Sequence, residues 1–154
     1  MMKRLVMILI MLFAATAARA WNVYEFKLST YPDGKPFYAK TNDQDVIDQC
    51  ESQLAKAEDK RRLFINGEID YGNGGYNVGW SWHFVPNKWH LTEAAVEVCD
   101  GTPQMVEDDL DYWINTLGQF CPWTAIVTRQ VGESEVDRPE NKPSIYPNPC
   151  ADIV

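Results

Sequence analysis

The densest collection of side chains able to do chemistry lies between Gly79 and Asp100, where Trp80, Trp82, His83, Trp89, His90, Glu97 and Asp100 follow one another closely. His83, His90, Glu97 and Asp100 are all metal-ligand types, and His83 with Glu97 could form a base and its orienting carboxylate. The chain has only 2 histidines, so any histidine-dependent reaction must use one of these. The candidates for catalysis are therefore His83, Glu97 and Asp100. Their spacing argues the other way: no H-E-x-x-H or other ligand pattern occurs, and a histidine among tryptophans commonly serves as a hydrogen-bonded structural residue. No metal or other cofactor is expected. No serine lies in a G-x-S-x-G elbow. The acidic run Glu107 to Asp111 lacks the calcium-loop pattern and suits a solvated helix face. Gly72-Asn73-Gly74-Gly75 matches no phosphate-binding form and reads as a mobile loop.

The aromatic residues suggest a second kind of function. Tyr71, Tyr76, Trp80, Trp82 and Trp89 cluster around that loop, and amphipathic rings are favoured on binding surfaces. A partly exposed patch is expected there, with Tyr76, Trp80 and Trp89 as the contact residues. The competing reading is that the core consumes these rings, since alternation places Trp80 and Trp82 on one face. The expected function is an exported binding or interaction module for a protein or small-molecule ligand. A small hydrolase or metal-binding protein built on His83, Glu97 and Asp100 is the alternative. A protease-inhibitor-like module also fits the size, although no reactive loop is identifiable.

The elements that must carry these residues are legible in part. Val23 to Leu28 alternates as a half-buried strand, and Tyr31-Pro32-Asp33-Gly34 has turn chemistry. Thr41 with Gln44 forms a capping box for a helix whose apolar face runs Val46, Ile47, Cys50, Leu54 and Ala57. Leu63 to Tyr71 reads as one strand with a bulge at Gly67. Trp80 to Val85 alternates again and Pro86-Asn87 ends it, and Ala94 to Cys99 predicts a further strand. Thr102 caps a second helix with Pro103 at its first position, Met105, Val106, Leu110, Trp113, Ile114 and Leu117 on one face, and Gly118 at its end. Thr124 to Val131 is the last strand. The predicted fold is α+β, a mainly antiparallel sheet with two helices on one face in the order β-α-β-β-β-α-β, a disulfide-stabilised ferredoxin-like variant.

The ends of the chain define its expected compartment. Lys3-Arg4, the apolar stretch Leu5 to Ala15 and Ala18-Arg19-Ala20 have the three-part form of a secretory signal, so residues 1–20 are expected to be removed. The apolar stretch is too short to span a bilayer. The product is expected to be secreted, or periplasmic in a Gram-negative cell. Residues 21–131 would form a single domain, and residues 132–154, with Pro139, Pro143, Pro147 and Pro149, an extended tail. Net charge is −8. Removal of Lys3, Arg4 and Arg19 would leave 11 basic residues against 22 acidic ones, formally −11. No basic stripe survives, which argues against nucleic acid or an anionic membrane as partner, and a monomer is expected. Four cysteines in a short exported chain imply disulfides. Three pairings are possible. Placement favours Cys99–Cys121, flanking the second helix, and Cys50–Cys150, which would tie down the tail.

Trp80-Ser81-x-His83, Glu97-Val98-Cys99-Asp100, Val106-Glu107-Asp108 and Cys121-Pro122-Trp123 together resemble the calmodulin-binding-protein N-terminal-domain family of secreted proteins. The resemblance spans about residues 63 to 130. It implies one domain with a Cys99–Cys121 bridge and brings no catalytic assignment. Cys50 and Cys150 look like additions to the family pattern, and Trp89-His90 departs from it. Calmodulin binding is not implied for this chain, because calmodulin takes basic amphipathic helices, whereas Lys60-Arg61-Arg62 trails an acidic helix.

Overall fold

The computed structural model describes residues 20–31, 33–132 and 135. The expected signal segment and most of the tail, with Cys150, lie outside the described residues. Five strands form one antiparallel sheet: β1 (Asn22–Leu28), β2 (Phe37–Thr41), β3 (Phe64–Tyr71), β4 (Trp82–Thr92) and β5 (Ala125–Val131). Their spatial order is β2-β1-β5-β3-β4. Helix α1 (Gln44–Leu54) joins β2 to β3, and α2 (Pro103–Asp108), extended by a π-helical segment Tyr112–Leu117, joins β4 to β5. Val46 and Cys50 of α1 share one core cluster with Val106 and Trp113 of the second helical stretch, so both pack against the same side of the sheet.

The connectivity is thus β-β-α-β-β-α-β, which departs from the expected order at two places, and one strand runs longer than expected. Strand β2 is an addition: Phe37, Ala39 and Thr41 are buried and alternate with Tyr38 and Lys40, and the strand pairs with β1 as the second arm of a hairpin around the predicted turn. Strand β4 does not stop at Pro86-Asn87. Asn87 takes a positive φ of 62°, and the two residues sit in a bulge, Val85 to Lys88 lying opposite Glu68 alone, within a strand that runs on to Thr92. Residues 94–98 form no strand. Thr92 Oγ1 turns the chain by bonding both the carbonyl and the amide of Ala94, a 3₁₀ turn covers Glu97–Cys99, and Val96 and Val98 are 60% and 68% exposed.

The helix caps follow ordinary capping chemistry. Asp43, rather than Thr41, caps α1 by accepting from the Asp45 amide at 2.9 Å, while Thr41 Oγ1 accepts from the Asp43 amide. Thr102 caps α2, with Pro103 at its first position, and Gly118 ends the π-helical segment in the left-handed conformation. Cys99 and Cys121 are disulfide-bonded, with Cα atoms 5.2 Å apart. The distance along the helix is absorbed because α2 is short and Phe120 returns to pair with Gly67 of β3. Cys50 is buried, and burial pushes its thiol well above the ordinary thiol range. It forms no disulfide among the described residues.

The largest of three buried clusters is built around aromatic rings. Phe37, Trp82, Phe84 and Phe120 contact one another with centroids 5.4–6.4 Å apart, within the range where ring pairs add to their burial energy. Gly67 is needed where this core meets the sheet. A Cβ there would overlap the Cβ of Trp89 and lie 2.6 Å from the Lys88 carbonyl oxygen, with Gly67 also paired to Phe120. Gly67→Ala is therefore expected to destabilise the fold by about 3 kcal/mol through overpacking against backbone. Urea denaturation checks this, and an unchanged midpoint would contradict it.

Candidate functional site

An antiparallel edge strand leaves every second residue with an amide and a carbonyl facing outward, and those groups need partners. The outward positions of the β2 segment are 36, 38, 40 and 42. Side chains from residues 77–89 satisfy one group at each. Trp80 Nε1 donates to the Pro36 carbonyl at 2.8 Å and Trp89 Nε1 to the Lys40 carbonyl at 3.0 Å. Asn77 Oδ1 accepts from the Tyr38 amide at 2.8 Å, while its Nδ2 donates to the Trp82 carbonyl at 2.8 Å. Asn87 Oδ1 accepts from the Asn42 amide and the Thr41 hydroxyl, both at 2.9 Å. The sheet thereby curls until its two edge strands face each other, with Phe37 of β2 against Trp82 and Phe84 of β4.

This seam carries Lys35 onto Trp80. The Lys35 ammonium lies 4.2 Å from the Trp80 ring centroid and donates to the Gly79 carbonyl. Gly79 has φ +91°, and a Cβ there would come within 2.8 Å of Lys35 Cε. Beside this pair opens a cleft of about 270 Å³. Leu28 and Tyr31 form one wall, Thr102, Pro103 and Gln104 the other, and Lys35 and Trp80 the third. Thr102 Oγ1 is committed as the acceptor for the Met105 amide, which leaves its hydroxyl hydrogen to donate. Gln104 turns its amide nitrogen to Asp108. Among the described residues no carboxylate lines the cleft, and its one charged side chain is Lys35.

The chemistry-bearing residues singled out in the sequence are not brought together. His83 is half-buried, with Nδ1 2.8 Å from the Gly72 carbonyl and its ring edge-on to Tyr76. Glu97 is exposed on the 3₁₀ turn. Asp100 accepts from the Gly101 and Trp123 amides at 2.9 and 3.0 Å, a structural role beside the disulfide. His90 is exposed on β4, across from Asn66. Among the described residues no three His, Cys, Asp or Glu side chains converge as a metal site would require. Burial overturns the expected exposed patch of Tyr76, Trp80 and Trp89, which are only 4%, 7% and 2% exposed. Trp89 and Trp80 spend their indole N–H groups on the seam, and Tyr76 donates its hydroxyl to the Phe84 carbonyl. Trp80 alone of the three also borders the cleft. Residue type and spacing do not single out Leu28, Lys35 or Thr102 as ligand contacts. The one available signal is a lysine directly after a turn in an acidic chain. Trp89→Ala is expected to cost about 3–5 kcal/mol of stability. Tyr31→Ala, at a residue 63% exposed, should change it by less than about 0.5 kcal/mol. Denaturant titration of the two variants checks the contrast, which equal stabilities would contradict.

No curated protein and no solved structure matches this chain significantly. The family model of the BP-74 N-terminal domain, consistent with the resemblance carried by the sequence motifs, matches residues 22–134. That span begins at the first residue of β1 and takes in both helical stretches, the Cys99–Cys121 bridge and all of β5. It covers well over half of the 154 residues, and the chain belongs to the BP-74 N-terminal domain family.

Proposed function

We propose that this domain is an exported binding module that takes a small ligand in the cleft between the β1–β2 hairpin and the start of α2. The observation that carries the reading is the composition of that cleft: apolar walls from Leu28, Trp80 and Pro103, with a few polar groups, Lys35 and Thr102, converging on it. Concave, mainly apolar sites with a small number of placed polar groups are how proteins hold small molecules. The pieces are also held before any ligand arrives. Trp80 is bonded to Pro36 and Lys35 to Gly79, so little side-chain freedom is left to lose on binding.

Export is supported by the signal-like residues 1–20 and by the Cys99–Cys121 disulfide, which oxidising compartments favour. Among the described residues no helix is long and apolar enough to cross a membrane.

The test is an amide and indole NMR titration of the ¹⁵N-labelled protein with a fragment panel of indole, phenol and hydrocinnamate. The expected result is a set of shifts at Leu28, Lys35, Thr102 and the Trp80 indole N–H. Shifts centred instead on His83 and Gly72, or no response around the cleft, would contradict the assignment.

A further inference from the structure

The charge of the cleft runs against the charge of the chain. Acidic residues outnumber basic ones by 22 to 14, yet among the described residues no Asp or Glu lines the cleft and its one charged group is the Lys35 ammonium. That ammonium is held in place. The Trp80 ring lies 4.2 Å away and the Gly79 carbonyl accepts one of its three N–H groups. Two N–H donors remain for a ligand. The Thr102 hydroxyl oxygen accepts from the Met105 amide, so Thr102 too offers a donor. A ligand for this arrangement carries acceptors, and a negative charge suits an ammonium best. The rest of the lining fits an apolar body: Leu28, the Tyr31 ring and Pro103. At about 270 Å³ the cleft falls just below the roughly 300 Å³ where small-molecule sites begin, so that body is a compact one.

We infer that the cleft selects small carboxylates with a flat or compact apolar body, the carboxylate held by Lys35 and Thr102 and the body lying on Leu28, Tyr31 and Pro103. This rests on the cleft being the binding site. Gly79 serves the same end, because a Cβ there would push Lys35 Cε and Nζ from their positions on Trp80.

Three near-isosteric probes test the inference on the intact protein: hydrocinnamate, its neutral amide and phenylpropylamine, each titrated while the Trp80 indole N–H is followed by NMR. The expected order is carboxylate, then amide, then amine, with about a tenfold gap between the first two, as a charge-assisted hydrogen bond provides. High salt should narrow that gap, because Lys35 is exposed. In Lys35→Gln, carboxylate and amide should bind about equally. Equal binding of carboxylate and amide to the natural protein would overturn the selectivity while leaving the cleft as a site. A preference for the amine, or a carboxylate preference that survives Lys35→Gln, would also overturn it. Failure of all three probes to shift the cleft resonances would overturn both the selectivity and the site.

Discussion

The whole arrangement depends on how the outer edge of β2 is satisfied. A five-residue edge strand facing another edge across a curled sheet must find partners for its outward amides and carbonyls. A buried backbone group left unpaired costs about 1–3 kcal/mol. No backbone ladder does this between β2 and β4. Trp80, Asn77, Trp89 and Asn87 instead reach across to Pro36, Tyr38, Lys40 and Asn42. Asn77 is the most committed of these, fully buried and bonded to backbone on both sides of the seam. Because the closure is made by side chains, the edge is also blocked against pairing with another chain. The same closure brings Lys35 onto Trp80 and so forms one wall of the cleft.

The side chains best suited to acid–base work are kept apart by the fold. His83, Glu97 and Asp100 are distributed over a strand, a 3₁₀ turn and a loop, each occupied with local hydrogen bonds or solvent. The one buried carboxylate among the described residues, Glu25, is spent on structure: Arg129 pairs with it at 2.9 Å and the Thr128 hydroxyl at 2.7 Å. Those bonds compensate its loss of hydration, and they lie on β1 and β5, away from the lining of the cleft.

Local signals make part of this structure legible in the sequence. Alternation locates β1 and the start of β4, strand-like composition locates β3 and β5, and cap chemistry locates Thr102, Pro103 and Gly118, because those signals act within a few residues. Gly67 is readable as a special position inside a strand, but it marks a close approach to Trp89, and the extra residues of the bulge lie on β4 rather than β3. The departures share one cause, a dependence on what lies opposite in space. β2 is short and hidden behind a turn, and its strand character comes from pairing with β1. Pro86 and Asn87 are strand breakers by local rule, yet a bulge accommodates them. Val96 and Val98 alternate like a strand but pair with no strand among the described residues. The aromatic residues read as a surface because their density is visible in sequence, whereas the seam that buries Trp89 and Trp80 is not. Lys35 is inconspicuous for the same reason: its meaning comes from Trp80, 45 positions away along the chain.

Hydrogen exchange at the Tyr38 amide tests the seam most directly. That N–H faces away from β1 on an edge strand and has the Asn77 side chain as its acceptor. In the natural protein it should be protected to about the same degree as the inward amides paired with β1. In Asn77→Ala its protection should collapse, along with the seam beside it, while β3–β5 amides remain slow. Fast exchange at Tyr38 in the natural protein, or unchanged protection in Asn77→Ala, would contradict closure of the sheet by that side chain.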